Sequence, residues 1–354
     1  MRPVLKPALL RLWRDSSTVQ LGLEPRHAVV LDGVSDAASG VLDLLDGSRD
    51  WSDVLTAAAA QGCDPADAAA LLDLLHTYGA LDDASDAPSP IPVTELERLE
   101  PDRAHASLLC ADPGGGSSTL LRRRAARVVV VGAGRVGSSA AGLLCAAGVG
   151  DVVICDATPG RPSDASPAGY PVPQGRPRAA ASAAAAQRCG GGRVRAGRLP
   201  VDEPALYDGA AAVLLAPDVY CAPAPGLHAT LLTTRVTYLV AGVRETRGLI
   251  GPLVLPGVTS CTRCADLFRA DRDPGWPVIA AQLAAGRPGA VPSCDVVLAT
   301  AVASVAAGQL LDHVDGRPVA ALGATLEIPL PEWQLLRRSW RIHPACGCTG
   351  EAAC

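Results

Sequence analysis

The chain has 354 residues, room for two domains, and its 31 basic and 36 acidic residues give a net charge of -5, which argues against a protein built to hold nucleic acid. No run of about 18 apolar residues escapes interruption by Gly, Pro or charge, and the opening MRPVLKPALLRLWRDSS lacks a signal-peptide core, so a soluble, cytoplasmic protein without membrane contact is expected. Twelve cysteines are too sparse for a disulfide scaffold, and four of them fall in short-spaced pairs, which in a reducing compartment points to metal.

Residues 1–86 predict a small α+β domain. Strand candidates are Ala8 to Trp13, Thr18 to Leu23 and, after a Glu24-Pro25-Arg26 turn, His27 to Leu31. Three helices follow: Asp36 to Leu45 with Gly47 as a stop, Trp51 to Ala60, and one opened by Asp64 as cap with Pro65 in the first turn and Gly79 as its end. This order suggests a winged-helix-like module. Its 6 basic and 14 acidic residues, a net of -8, would repel a phosphate backbone, so DNA binding is excluded and a peptide ligand or a plain structural appendage remains. Segment 87–122, rich in Pro, Ser and Gly, predicts a linker with a short helix at Glu95 to Glu100.

Arg127 to Asp156 packs an apolar strand, a glycine turn, a small-residue helix and a second strand ending in acid into one βαβ unit. Gly132, Gly134 and Gly137 permit a tight turn and close approach of backbone to phosphate. The helix that follows presents free amides at the strand end, and Asp156 lies where a ribose-binding carboxylate is expected. The same glycines would also serve packing alone. Further on, an Ala-rich helix (Pro177 to Gln187), strands at Ala211 to Ala216, Arg235 to Val243 and Leu249 to Leu255, a long Ala/Val helix (Val296 to Asp312) and a closing strand within Ala320 to Leu330 predict a mostly parallel sheet.

Cys261-Thr-Arg-Cys264 and Cys346-Gly-Cys348 supply four thiolates, enough for a closed tetrahedral structural zinc site. A redox CxxC is the alternative, and Cys294 and Cys354 are spare candidates.

The combination of GAGRVG, AGVGDVVICD, TSCTRC and a late CxC resembles the ThiF-type superfamily that includes ubiquitin-activating enzymes, over about Arg123 to Cys348. The resemblance implies a Rossmann-type α/β fold that adenylates the C-terminal carboxylate of a small protein or peptide with ATP and magnesium. Position by position, it implies that Gly132, Gly134 and Gly137 form the phosphate turn, Asp156 holds the ribose, and Asp218 in LLAPDVY is the metal-binding aspartate. Two positions depart. The family's SNLxRQ arginine has no counterpart in SDASPAGYPV, and the GKPK lysine is replaced by Arg178 in Gly175-Arg176-Pro177-Arg178, in a chain whose sole lysine is Lys6. Arginine's planar fork does not substitute freely for an ammonium point charge.

Three strands and three helices ahead of such a domain resemble the peptide-recognition element of ribosomal peptide natural-product pathways, and most closely the ThiF-like partner protein of azoline-forming cyclodehydratases. That resemblance implies that a precursor's leader adds a strand at Ala28, Val29, Val30 and Leu31 and packs against the third helix, at Asp73, His76 and Thr77. It implies a separate YcaO-type enzyme as partner and ATP consumer. The apolar segment Val296 to Ala307, together with the way ThiF-like domains pair, predicts a homodimer. The favoured function is a precursor-binding scaffold. An active adenylyltransferase is the second reading, with Asp218 and Arg178 as its catalytic residues, and an NAD-dependent oxidoreductase the third, which leaves the cysteine quartet and the N-terminal module unexplained.

Overall fold

Short strands and capped helices dominate the first part of the chain, and long apolar strands the second. The structure, a computed structural model, describes residues 1–85, 89–172, 175–286 and 291–349. It divides into two units, Met1–Leu121 and Arg122–Cys354.

In the first unit, β1 (Pro3–Leu5) precedes the antiparallel meander β2 (Arg11–Trp13), β3 (Val19–Leu21) and β4 (Val29–Leu31). Three helices follow, α1 (Asp36–Asp43), α2 (Trp51–Ala60) and α3 (Pro65–Thr77), and then β5 (Leu81–Asp83) returns antiparallel to β1. Each helix start is capped by the residue that the sequence offers: Ser35, Asp50 and Asp64 accept from the amides of Ala38, Asp53 and Ala66. Val19, Leu21, Val41, Val54, Leu72 and Leu75 close the core.

The segment expected as a linker with one short helix at Glu95 to Glu100 carries that helix as α4 (Val93–Arg98) and adds two more, α5 (Glu100–Leu108) and α6 (Gly115–Ala125). Polar anchors explain this. The buried Lys6 ammonium donates to the carbonyls of Ser107 and Cys110, both at 2.5 Å, where the end of α5 carries partial negative charge. The buried Asp82 carboxylate accepts from the Gly114 amide at 2.5 Å and faces Arg103 at 3.4 Å. Composition registers Pro and Gly but not these two buried charges.

In the second unit, β6 (Arg127–Val131), α7 (Arg135–Ala146) and β7 (Asp151–Cys155) form the βαβ unit within the span that the sequence marks. Then come α8 (Arg178–Ala186), β8 (Arg193–Ala196), β9 (Ala212–Leu215), α9 (Pro225–Thr233), β10 (Tyr238–Arg244) and β11 (Arg247–Val254). The chain continues through α10 (Thr262–Ala270), α11 (Trp276–Ala285), α12 (Val296–Val314), β12 (Ala324–Pro329) and β13 (Leu336–Ser339). The eight strands run in the order β13-β12-β11-β10-β9-β6-β7-β8. Pairing is parallel from β10 through β8 and antiparallel from β10 out to β13.

Strands buried on both faces explain the valine runs. Val128, Val130 and Ile154 pack on one side with α7, α8 and α12, and Val129, Val153 and Val213 on the other with the cysteines. Leu298, Val302, Ala306 and Leu310 of α12 lie in the first of these cores. The apolar excess of Val296 to Ala307 is therefore largely consumed within the chain, and it is no argument for a homodimer.

Candidate functional site

Backbone geometry builds the glycine turn first. Gly132 has φ +98°, and a Cβ there would lie 2.1 Å from the Ala216 carbonyl oxygen at the end of β9. A Cβ on Gly137 would lie 1.9 Å from the Gly132 oxygen, and one on Gly134 2.7 Å from the Asp218 carboxylate. Backbone contact thus requires glycine at 132 and 137, whereas at 134 the close neighbour is a side chain. Tyr170, buried and outside any recognised motif, locks the turn by donating its hydroxyl to the Ala133 carbonyl at 3.0 Å.

The turn's carboxylates are engaged from within the protein. Asp156 accepts from the amides of Ala133 at 2.7 Å and Thr158 at 2.8 Å. At the start of α8, the buried Arg178 guanidinium meets three acids. Its Nε and one terminal nitrogen bond the two oxygens of Asp164 at 2.8 and 2.5 Å. The other terminal nitrogen bonds both oxygens of Asp218 at 2.9 Å and lies 3.7 Å from Asp156. Burial disfavours the Arg178 charge, but the bonds to Asp164 and Asp218 outweigh it and hold its proton above the ordinary arginine value. Four of the positions marked in the sequence, Gly134, Asp156, Arg178 and Asp218, therefore meet in one cluster.

Beside the cluster is a cavity of about 180 Å³ lined by Arg135, Arg161, Arg178, Asp218 and Cys294. Arg135 donates to the carbonyls of Ser163 and Cys294 at 2.9 and 2.7 Å. Arg161 is exposed. Sequence reasoning missed Arg161, which stands just ahead of the stretch compared with SNLxRQ, and Asp164, the acid that engages Arg178 most fully.

The four cysteines converge. Cys261 caps α10 and Cys264 sits in its first turn, which alone would suit a redox pair. However, the Cys346 sulfur lies 3.4 Å from that of Cys261, that of Cys348 lies 3.5 Å from that of Cys264, and all four sulfurs fall within 4.8 Å of one another. A tetrahedral metal with bonds of about 2.3 Å needs sulfurs about 3.8 Å apart, so the buried cluster can hold a metal ion. Gly347, at φ +70°, lets both cysteines of the CxC turn inward. The hydrogen bond between Cys261 and Cys264 holds the Cys264 thiol below its ordinary range and, with burial, pushes that of Cys261 up. Around the cluster, the His343 amide donates to the Cys264 sulfur at 3.4 Å. The His343 ring accepts from Ala345 through Nδ1 and reaches Asp271 through Nε2 at 2.9 Å. Cys294 lies elsewhere, against the cavity beside Arg178, and Cys354 falls outside the described residues.

In the first unit, Arg14 donates to the Thr18 carbonyl and Gly22 to that of Leu10, which makes Leu12 and Gln20 a hydrogen-bonding pair. Antiparallel ladders alternate, so Val19 and Leu21 face β4, and Val30, opposite Gln20, points its N–H and C=O to the open edge. Val29 and Leu31 are buried, Ala28 precedes the strand, and Val30 is 47% exposed. Asp73, His76 and Thr77 lie on the exposed face of α3, with the His76 ring edge-on to Trp51 at 6.1 Å. A cavity of about 240 Å³ opens between His27, just before β4, and Tyr78, just after α3, with Leu108 and Cys110 in its wall.

No curated protein matches the sequence. Among solved structures, E. coli MccB with AMPCPP and the peptide MccA superposes with TM-score 0.72 at 13% identity, over 99% of this chain and 100% of MccB. E. coli MccB with ATP gives TM-score 0.71 at 13% identity with the same coverage. PaaA gives TM-score 0.70 at 15% identity, over 95% of this chain and 99% of PaaA. Residues 113–349 match the ThiF family, and this chain, with its glycine turn, its sheet and its paired cysteines, belongs to that family.

Proposed function

We propose that this protein binds a ribosomally made precursor peptide and presents it to a separate modifying enzyme of the YcaO type, without itself adenylating the peptide, and that the metal held by its four cysteines is a structural zinc. The observation that carries the non-catalytic part is the closed state of Arg178. Its Nε and both terminal nitrogens are engaged by Asp164 and Asp218, and to reach a phosphate it would leave the buried Asp164 with only the Arg161 amide and no cation, at a cost of about 3–5 kcal/mol. Asp218, the one acid of the cluster with substantial exposure, spends both oxygens on the same guanidinium, which competes with magnesium for it. These residues do not fit a magnesium–triphosphate complex.

Peptide binding draws support from two directions. MccB, described as the Microcin C7 biosynthetic enzyme, was crystallised with the peptide MccA, and this chain matches it over its whole length. The Val30 backbone lies on an open strand edge, and a cavity opens at His27, just before that strand. Titration calorimetry of the full chain with the precursor encoded by a neighbouring gene is the test. Val30→Pro, which removes an outward amide without taking a donor from the sheet, should abolish binding while circular dichroism stays unchanged. Unaltered affinity would end the reading.

A second reading, the adenylyltransferase, has its own support in Arg135 and Arg161, two guanidiniums without carboxylate partners among the described residues that line the cavity beside Asp218. ATP–pyrophosphate exchange decides between them. Exchange that disappears in Asp218→Ala would restore the enzyme, and its absence with every peptide offered supports the scaffold.

A further inference from the structure

A second cluster of arginines lies in the antiparallel half of the sheet, apart from the glycine turn. Its floor is Arg247 on β11, Glu327 on β12 and Arg338 on β13. Arg269 of α10 and Arg272 just beyond it form one wall, and Arg244 stands at the end of β10. Together they bound an open cleft of about 340 Å³. Five guanidiniums meet Glu245 and Glu327 in the lining and Asp266 on Arg269, a local net of +2 in a chain whose overall charge is -5.

The cleft already shows how it treats a carboxylate. Glu327 lies between Arg247 and Arg338, 2.8 Å from the latter. Burial pushes its proton affinity up, but the bonds from Arg338 and Arg247 more than offset this and hold it below the ordinary glutamate range. Arg269 pairs with Asp266 at 2.8 Å, and the same carboxylate accepts from the Trp276 indole at 3.0 Å. Arg244 and Arg272 have no ion pair among the described residues, and Arg244 bonds only the Tyr220 carbonyl, at 3.2 and 3.0 Å. Burial and the neighbouring Arg269 charge both work against the Arg244 cation.

Aromatic planes fix these cations in place. Arg244 lies 5.2 Å from the Tyr220 ring, and Arg269 lies 5.2 Å from Trp276 and 4.9 Å from Trp340. Rigid, under-neutralised guanidiniums spread along an open cleft suit several separated carboxylates better than a single convergent anion. We infer that this cleft binds an acidic segment of a peptide, its Asp or Glu side chains seated by Arg244, Arg269 and Arg272 as Glu327 is seated by Arg247 and Arg338. The choice of a peptide rests on the reading of the chain as a peptide-binding protein.

Fluorescence anisotropy of the full chain with rhodamine-labelled hexaglutamate and hexaglutamine at low salt tests this. Hexaglutamate should bind at least about tenfold more tightly, and the Arg244→Gln/Arg269→Gln variant should lose most of that preference. Arg272→Gln, at an exposed side chain where folding is safe, should weaken hexaglutamate by about threefold, and Arg198→Gln, elsewhere on the surface, should not change it. Equal affinity for the two peptides, or an equal loss in Arg198→Gln, overturns the inference. Displacement of the peptide by low millimolar inorganic phosphate also overturns it, in favour of a phosphoryl ligand. The parent reading fails separately. Hexaglutamate binding that survives while the precursor does not bind sinks the precursor assignment alone, and precursor binding without hexaglutamate preference sinks only the cleft.

Discussion

Two groups of arginines in the same domain show opposite electrostatic arrangements. Around Arg178, one buried guanidinium meets three carboxylates supplied by three separate segments, and every strong donor is taken. Along the β11–β13 floor, five guanidiniums meet three carboxylates, Glu245, Asp266 and Glu327, and among the described residues neither the exposed Arg272 nor the half-buried Arg244 has an ion pair. A closed cluster holds a fold together, because removing one member strands the others in a poorly solvated place. An open cluster carries a standing repulsion, which a ligand of opposite charge relieves. The difference teaches that counting arginines near a cleft says little until their partners are assigned.

The largest effect expected is on the open cluster's wall. α10 begins at Cys261 and Cys264, so stripping the metal should loosen the helix that carries Arg269 while leaving Arg178 in place. Elemental analysis should give one zinc per chain. Its removal forfeits binding free energy on the order of 10 kcal/mol, and hydrogen exchange should show protection lost over 261–270 and 343–348 but retained around 178. Metal-free protein with unchanged exchange in both regions would break the comparison.

Next in size, Arg178→Ala leaves Asp164 and Asp156 buried without their cation and should cost about 3–5 kcal/mol in chemical denaturation. Arg272→Gln should stay within about 0.5 kcal/mol. Similar losses in the two variants would mean that the clusters do not differ in kind. A pH series sharpens the point. Glu327 has a folded pKa held below its ordinary value of 4.5, so its contribution is present above that pH and is lost as pH falls through the lowered folded value. Glu327→Gln should flatten the acid limb of the stability curve, and an unchanged limb would show that the Arg247 and Arg338 contacts are not formed in solution. The smallest effect belongs to Tyr170→Phe, which removes one neutral hydrogen bond to the glycine turn and should cost about 1 kcal/mol.

Local pattern explains what the sequence makes legible. The βαβ unit is visible because strand, turn and helix are contiguous and each carries its own signal, from the valine run to Gly132 and Gly134. α3 is visible through Asp64 and Pro65. β8 and β13 are not, because Arg193 and Arg195 in one and Arg337 and Arg338 in the other break any apolar alternation, and such edge strands are held by pairing rather than by burial. In segment 87–122 the first helix is expected, but α5 and α6 are hidden for a related reason, since their anchors Lys6 and Asp82 are distant in sequence. In the site, paired spacing was enough to bring the cysteines together on paper. The Arg178 cluster was only half visible, because Asp164 belongs to no motif and becomes important only once folding places it against the guanidinium.

Lys6 has one further consequence, for the chemistry of the surface. It is the only lysine in 354 residues, it is 2% exposed, and its ammonium is directed into two carbonyls at the end of α5. Amine-directed crosslinkers therefore find no exposed side-chain amine on the folded protein. Reaction at Lys6 itself would then report the opening of the first unit.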